Sequence, residues 1–407
     1  LVALGGDARE NNAALAAAAG LSEGLLTTTG VNDEERLFGL TGVLSEDDRH
    51  LAYQRLDRLH LTYTPDWGRL RFGRQALTWG DGLIFNPMDL FNPFAPTAVQ
   101  RDYKVGEDMV HLLRTMGAGE GELLYLPRRD PESGELVEER ASYAGRLHLP
   151  VAGLEMGLMG ARHYGDGVFG LGGSGYLGEA LWRCNATYTH VRAGDDFLQA
   201  VANLDYAWMW GGRNVYGLLE VYYNQLGRNG DYAAALSDEV LVERVARGEL
   251  FTLGRTYLAG QFQVELHPLV RLDATGIVNL ADPSGLLQPQ VVWDAAADWQ
   301  ILFGGQWNWG ARGSEYGGFD PGIPGLSGRM SPADRIYLVL PWSADDPYDR
   351  SVLLHELIHK VQLANRDWPC VGAPELEAYM LQAEYLGTYG IDPGFDWRSI
   401  FLLSLCP

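Results

Sequence analysis

The stretch FLQAVANLDYAWMW, Phe197–Trp210, alternates with a period of two. Leu198, Ala200, Ala202, Leu204, Tyr206, Trp208 and Trp210 share one face, and Gln199, Asn203 and Asp205 share the other. Successive side chains of a strand point to opposite faces, so this is a strand with one apolar and one polar side. It is longer than the five or six residues usual in soluble sheets, and it ends in aromatics. A strand that crosses a bilayer at a tilt needs about ten residues, with aromatic rings at the interfaces.

The same pattern recurs outward from this stretch. Leu59, Leu61 and Tyr63 alternate with Arg58, His60, Thr62 and Thr64. Val215, Leu219, Val221 and Tyr223 oppose Glu220 and Asn224. Phe262, Val264 and Leu266 alternate with Gln261, Gln263 and Glu265; a His267-Pro268 turn follows, and Val270, Leu272 and Ala274 then alternate with Arg271 and Asp273. Trp299, Ile301, Phe303, Trp307 and Trp309 alternate with Gln300, Gln306 and Asn308. Roughly 14 such segments are expected, so residues 35–342 read as an antiparallel transmembrane β-barrel. The competing fold is a large soluble β-sandwich or propeller.

Composition agrees with a β architecture. The 407 residues include 51 Gly, 12 Trp, 20 Tyr and 13 Phe, which suits tight turns and aromatic girdles. The net charge of −22 argues against a nucleic-acid partner, because phosphate binding needs clustered Lys and Arg. No run of about 18 apolar residues is present, so no transmembrane helix is expected. An outer-membrane protein needs an export signal; none is visible, and the chain is read as mature or truncated at Leu1. Of three cysteines, Cys370 and Cys406 can pair in an oxidising periplasm, leaving Cys184 alone on a strand.

Three stretches break the alternation. Residues 1–34 are rich in Ala and Gly and weakly patterned: a frayed terminus or a first strand. Asp81–Glu107 is too long for a hairpin turn and too apolar for a solvated loop. It either folds into the lumen or forms a structured external loop. Asp231–Gly248 carries Leu236, Val240, Leu241 and Val245 at helical spacing, so a short helix in a surface loop is expected. Arg69, Arg71, Arg74 and Arg101, with Asp102, Glu107 and Asp108, are candidates for a lumenal charge network. The block RLRFGRQALTWGDGLIFNPMDLFNPF, Arg69–Phe94, resembles a recurring pattern of uncharacterised Gram-negative outer-membrane barrels. That resemblance implies a bacterial outer-membrane location and contact with its lipid.

A different chemistry appears near the end of the chain. His355-Glu356-Leu357-Ile358-His359 fits HExxH, inside DRSVLLHELIHKVQLAN, where Val352, Leu354, Ile358 and Val361 give helical periodicity. Two histidines four apart share a helix face and can clamp one metal ion, and Glu356 can take a proton from water beside it. Two His alone make a poor zinc site, so a third ligand is needed. Downstream, Pro374-Glu375-Leu376-Glu377-Ala378-Tyr379 opens a second helical stretch through Tyr389. It resembles the ExxA helix of gluzincin-type peptidases, with Tyr379 where Asp is frequent. Arg335–Cys406 as a whole resembles short uncharacterised bacterial HExxH proteins. By these resemblances His355, His359 and Glu375 bind Zn2+, with Glu377 as the alternative ligand, and Glu356 is the general base of peptide hydrolysis. Tyr379, Tyr385 and Tyr389 are candidate oxyanion partners.

The two halves compete for Asp334–Trp342, which reads either as the closing barrel strand or as the edge strand before a zincin helix. The first reading gives a small α-helical zincin-like domain over 343–407, in the periplasm or at the cell surface. Function then divides three ways. The chain is an outer-membrane-anchored zinc metallopeptidase acting on peptides. Alternatively it is a porin-like transport barrel for a small solute, with a non-catalytic zinc-stabilised cap. The third reading is a soluble secreted β protein with a peptidase domain. No Walker loop is present.

Overall fold

The computed structural model describes residues 2–5, 33–46, 50–96, 104–131, 133–230, 232–235, 238–296, 299–311, 313–317, 328–330, 336–338, 346–365, 373–395 and 397–404. The chain divides into two compact units, Leu1–Asn308 and Trp309–Pro407.

The first unit is mainly β. Strands β1 (Val2–Gly5), β2 (Thr41–Glu46) and β3 (His50–Arg55) form a small sheet in the order β1-β3-β2. The main sheet begins with β4 (Leu59–Tyr63), β5 (Arg69–Gln75), β6 (Glu107–Met116), β7 (Gly119–Leu126) and β8 (Ser142–Val151). It continues with β9 (Leu154–His163), β10 (Asp166–Leu177), β11 (Ala180–His190), β12 (Phe197–Trp210) and β13 (Arg213–Asn224). It ends with β14 (Thr256–His267), β15 (Val270–Asn279), β16 (Ser284–Ala296), β17 (Trp299–Gly304) and β18 (Trp307–Trp309). This 15-stranded sheet follows chain order from β4 to β17, with β18 paired to β16. Each hairpin along that path is antiparallel, as two-residue connections such as Gly211-Gly212 allow. Both glycines there have positive φ, 58° and 77°, which matches the twist of the flanking strands. Among the described residues β4 and β17 do not pair, so the sheet is an open path.

The faces are inverted relative to a water-soluble sheet. Leu147, Leu158, Leu171 and Ala186 stand opposite one another on neighbouring strands, and Leu158 and Leu171 are 51% and 52% exposed. The other face carries Asn185, Gln199, Asn203 and Glu220, all buried. The alternation read at Phe197–Trp210 thus puts its apolar side outward.

A long connection fills the polar side. Residues 76–96, between β5 and β6, lie against the buried face of the sheet; residues 97–103 of the stretch Asp81–Glu107 lie outside the described residues. Glu220 on β13 accepts from three successive backbone amides: Leu83 (2.9 Å), Ile84 (3.1 Å) and Phe85 (2.6 Å). Asn185 on β11 accepts from the Asp81 amide at 2.6 Å, and Asn203 on β12 donates to Glu220 at 3.0 Å. Phe85 stacks on Tyr222 with centroids 4.4 Å apart. Trp79 donates to Glu122 on β7 at 3.1 Å, and its ring joins Met88, Phe91, Met109, Leu124 and Met159 in a buried cluster. An irregular backbone without ladder partners must find acceptors elsewhere, and the inward carboxylate and amides supply them.

The expected helix over 231–248 is present as α1 (Tyr232–Ala235) and α2 (Glu239–Ala246). Asp238 caps α2 by accepting from the Leu241 amide at 3.2 Å. The helix is more than surface cover: Leu241 and Arg244 are buried, and Arg244 pairs with Asp166 and Glu249.

The second unit holds β19 (Gly328–Met330), β20 (Ile336–Leu338), α3 (Pro347–Asn365), α4 (Glu375–Gly387) and α5 (Trp397–Ser404). The described residues show two things about the join. Trp299–Trp309 is two strands, broken at Gly305-Gln306. Ile336–Leu338 does not close the main sheet: β20 pairs with β19 in a separate sheet beside α3. The short connection 331–335 makes this local pairing cheap in loop entropy. Helix α5 was not anticipated. Arg101, Asp102, Cys370 and Cys406 lie outside the described residues, so the expected Cys370–Cys406 disulfide does too; Cys184 is on β11, free and exposed.

Candidate metal centre

The helix α3 places His355 and His359 one turn apart, and α4 begins at Glu375, which faces them. His355 Nε2 and His359 Nε2 are 3.0 Å apart. Glu375 brings one carboxylate oxygen to each, at 3.4 Å in both cases. Among the described residues this is the one group of three or more His, Cys, Asp or Glu whose ligand atoms converge in this way, all within 4.8 Å.

The spacing fits a zinc ion. Bonds of about 2.0–2.1 Å meeting at a tetrahedral angle hold ligand atoms about 3.3–3.4 Å apart. Two imidazole nitrogens and a carboxylate are the donors such an ion takes. The outer nitrogen of one ring is also set. His359 Nδ1 lies 2.9 Å from Gln362 Oε1, an acceptor, which favours a proton on Nδ1; the neutral ring would then offer Nε2 to a metal, whereas without one the charged ring donates from Nε2 to Glu375. His355 packs its ring on Tyr379 at 4.4 Å, and its buried Nδ1 has no hydrogen-bond partner among the described residues.

Electrostatics bind the three side chains without help. Burial alone would raise the Glu375 carboxyl, yet hydrogen bonds from both imidazoles, and their charge, push it down to about 2. Burial likewise works against charge on His359, and is outweighed by Glu375, with Gln362 and the Glu356 charge adding to it; its pKa is raised. Glu356, next along the helix, is buried. Glu375 keeps 28% exposure, which leaves one side of the cluster open.

The helices are locked at the site. Gln362 Nε2 donates to the Pro374 carbonyl and to Glu377, each at 3.1 Å. Glu377, the alternative ligand by sequence, is thus engaged by Gln362, and Glu375 is the carboxylate that meets the histidines. Gln382 donates to Ser351 at 3.0 Å, and Arg350 Nε to the Tyr385 hydroxyl at 3.0 Å. Among the described residues Tyr379 is the one of the three tyrosines whose ring meets a histidine of the cluster; the rings of Tyr385 and Tyr389 meet at a tilt of 54° beside Arg350. The sequence reading missed Gln362. Its signal was available, since HELIHKVQ puts Gln362 three residues after His359 on the same helix face.

The lumenal candidates of the first unit separate. Arg74 and Asp108 form a buried ion pair at 2.8 Å, Glu107 pairs with Arg36 at 2.7 Å, and Arg69 and Arg71 remain partly buried on β5. One chain of groups there has the order of a nucleophile, base and acid: Ser142 Oγ lies 2.7 Å from His163 Nδ1, and His163 Nε2 is 3.3 Å from Glu249. Ser142 has no exposed surface and accepts from Arg128 at 2.6 Å, so this chain ties strands to the loop carrying α2 and offers nothing to a substrate.

Residues 328–407 match a family described as a domain of unknown function (DUF6647). No curated protein matches the chain in sequence. Among solved structures the chain is similar to a BenF-like porin from Pseudomonas fluorescens Pf-5, at 9% identity over 60% of this chain and 70% of that one, with a TM-score of 0.34. An anion-selective porin from Comamonas acidovorans is similar at 13% identity over 63% and 74%, TM-score 0.34. Pseudomonas aeruginosa OccK2 (OpdF), solved in complex with glucuronate, is similar at 11% identity over 64% and 84%, TM-score 0.27.

Proposed function

We propose that the first unit is a porin-like outer-membrane β-barrel that passes small solutes, and that the second unit binds zinc. One observation carries the membrane reading: one face of the 15-stranded sheet exposes Leu158, Leu171, Leu204 and Leu219, and the other buries Asn185, Gln199, Asn203 and Glu220. Hydrocarbon accepts such a face and water does not, and only a closed barrel satisfies the backbone of a sheet in lipid. Leu171→Arg tests it. In lipid vesicles this variant should fold less stably by about 2–4 kcal/mol, the cost of Arg on the lipid face near mid-depth. Folding equilibria in denaturant give the number. A chain that folds in buffer without detergent, and tolerates Leu171→Arg, would sink the membrane reading.

A second reading, zinc-dependent hydrolysis of peptide bonds, is favoured by the His355–His359–Glu375 triangle with its open side. Structural zinc sites are usually closed by four protein ligands, whereas catalytic ones use three. Zinc held there supplies a Lewis acid that activates water towards a carbonyl. Glu356 is buried on the ligand helix and takes the proton from that water. Glu356→Gln keeps size and removes the base. It should retain zinc and lower the turnover of a peptide library about 100-fold or more. Wild-type protein with a full zinc complement and no hydrolysis would leave the centre as a structural clasp and favour the transport reading alone.

A further inference from the structure

We infer that Arg69 and Arg71 form a binding site for small oxyanions, carboxylates or phosphates, on the inner wall of the first unit. The inference rests on the porin-like reading, since it takes that wall to line a water-filled passage. Arg71 stands directly opposite His111 on β6, and His111 bonds Glu122 at 2.9 Å. Arg69 stands opposite Leu113, which is opposite Glu122 itself. Residues opposite one another in a sheet share a face, so both arginines lie on the buried polar side, beside the point where Trp79 docks.

What sets these two apart is that no acidic group among the described residues neutralises them. The chain carries 31 basic and 53 acidic residues, so acidic partners are plentiful. Other arginines of the unit use them: Arg74 with Asp108, Arg146 with Glu122, Arg183 with Asp205, Arg271 with Asp273. Arg69 and Arg71 form no ion pair and no hydrogen bond among the described residues, and the Nε of each is buried without a partner. Glu122, the nearest carboxylate by register, already accepts from Trp79, His111 and Arg146. Two like charges at positions i and i+2 of one strand repel across about 7 Å. A partly buried guanidinium pair with unused donors therefore lacks an anion. Guanidinium forks match the planar, bidentate geometry of carboxylate and phosphate better than a spherical halide.

The test is calorimetric titration of inorganic phosphate into the full detergent-purified chain, at constant ionic strength, with chloride as the comparison anion. Heat-modifiable migration in electrophoresis is read on the same samples and reports the barrel separately. Wild type should bind phosphate in preference to chloride. Arg69→Gln/Arg71→Gln should weaken phosphate about tenfold or more. Arg69→Lys/Arg71→Lys, which keeps charge but loses the fork, should fall between them. Equal phosphate binding by wild type and the Gln pair, in samples that keep their heat-modifiable band, overturns the site. So does wild-type binding of phosphate and chloride alike, which reports point charge only. A wild-type sample without a heat-modifiable band overturns the barrel and the site that rests on it, whereas loss of phosphate preference in a sample with the band overturns the site alone.

Discussion

Alanine at both His355 and His359 should strip zinc from the protein. The expected loss of affinity is about ten-thousand-fold. Zinc held by four protein ligands is worth roughly 10–16 kcal/mol, or about 3 kcal/mol per ligand; two lost ligands then cost about 6 kcal/mol, and each 1.4 kcal/mol is a factor of ten. Glu375 alone remains, and a single carboxylate is no zinc site. The helices should survive, because the ties between α3 and α4 run through Gln362, Gln382 and Arg350, none of which is altered. Metal content by mass spectrometry on detergent-purified protein, wild type beside the variant, reads the effect, and circular dichroism checks the helices. Equal zinc in both samples would move the metal elsewhere and reduce HELIH to an ordinary helix. No zinc in the wild type after zinc is supplied would do the same.

Glu220→Ala should be the most damaging single change in the first unit. The carboxylate has no exposed surface and accepts from the amides of Leu83, Ile84 and Phe85, and from Asn203. Without it, the buried amides of Ile84 and Phe85 lose the acceptor they share. At about 1–3 kcal/mol for each orphaned buried donor, with some relief from entering water, the loss is about 3–5 kcal/mol. The released free energy is local: residues 76–96 should leave the wall while the strand ladder stays paired. Two measurements follow. Limited proteolysis should cut within 76–96 in the variant and not in the wild type, and conductance in planar bilayers should rise as the passage widens. Unchanged proteolysis and conductance together would mean that the stacking of Phe85 on Tyr222 and the Trp79 cluster hold the segment without the carboxylate.

Much of this architecture was legible in the chain because its signals are local. Period-two alternation needs only neighbours in sequence, so Phe197–Trp210 was read with the bounds the strand has. HExxH is equally local, since helix geometry alone puts His355 and His359 on one face. The failures share a cause. Asp334–Trp342 is apolar enough for either of two sheets, and which partner it takes depends on residues outside the stretch. Trp299–Trp309 alternates across a break at Gly305-Gln306 that periodicity does not register. Helix α5, eight residues or about two turns, was missed although it is as long as α2.

Alternation determined from sequence alone that this chain builds long two-faced strands, and motif spacing determined that one helix offers two imidazoles. Neither says which strand face turns towards water, because the pattern is identical for a soluble sheet and its inverse; the tertiary structure decided that by burying Glu220 and exposing Leu171. It also decided that Glu375 and not Glu377 meets the histidines, and that Arg69 and Arg71 have no ion-pair partner among the described residues. Those outcomes depend on groups far apart in the chain, whose distances are fixed only when the elements pack.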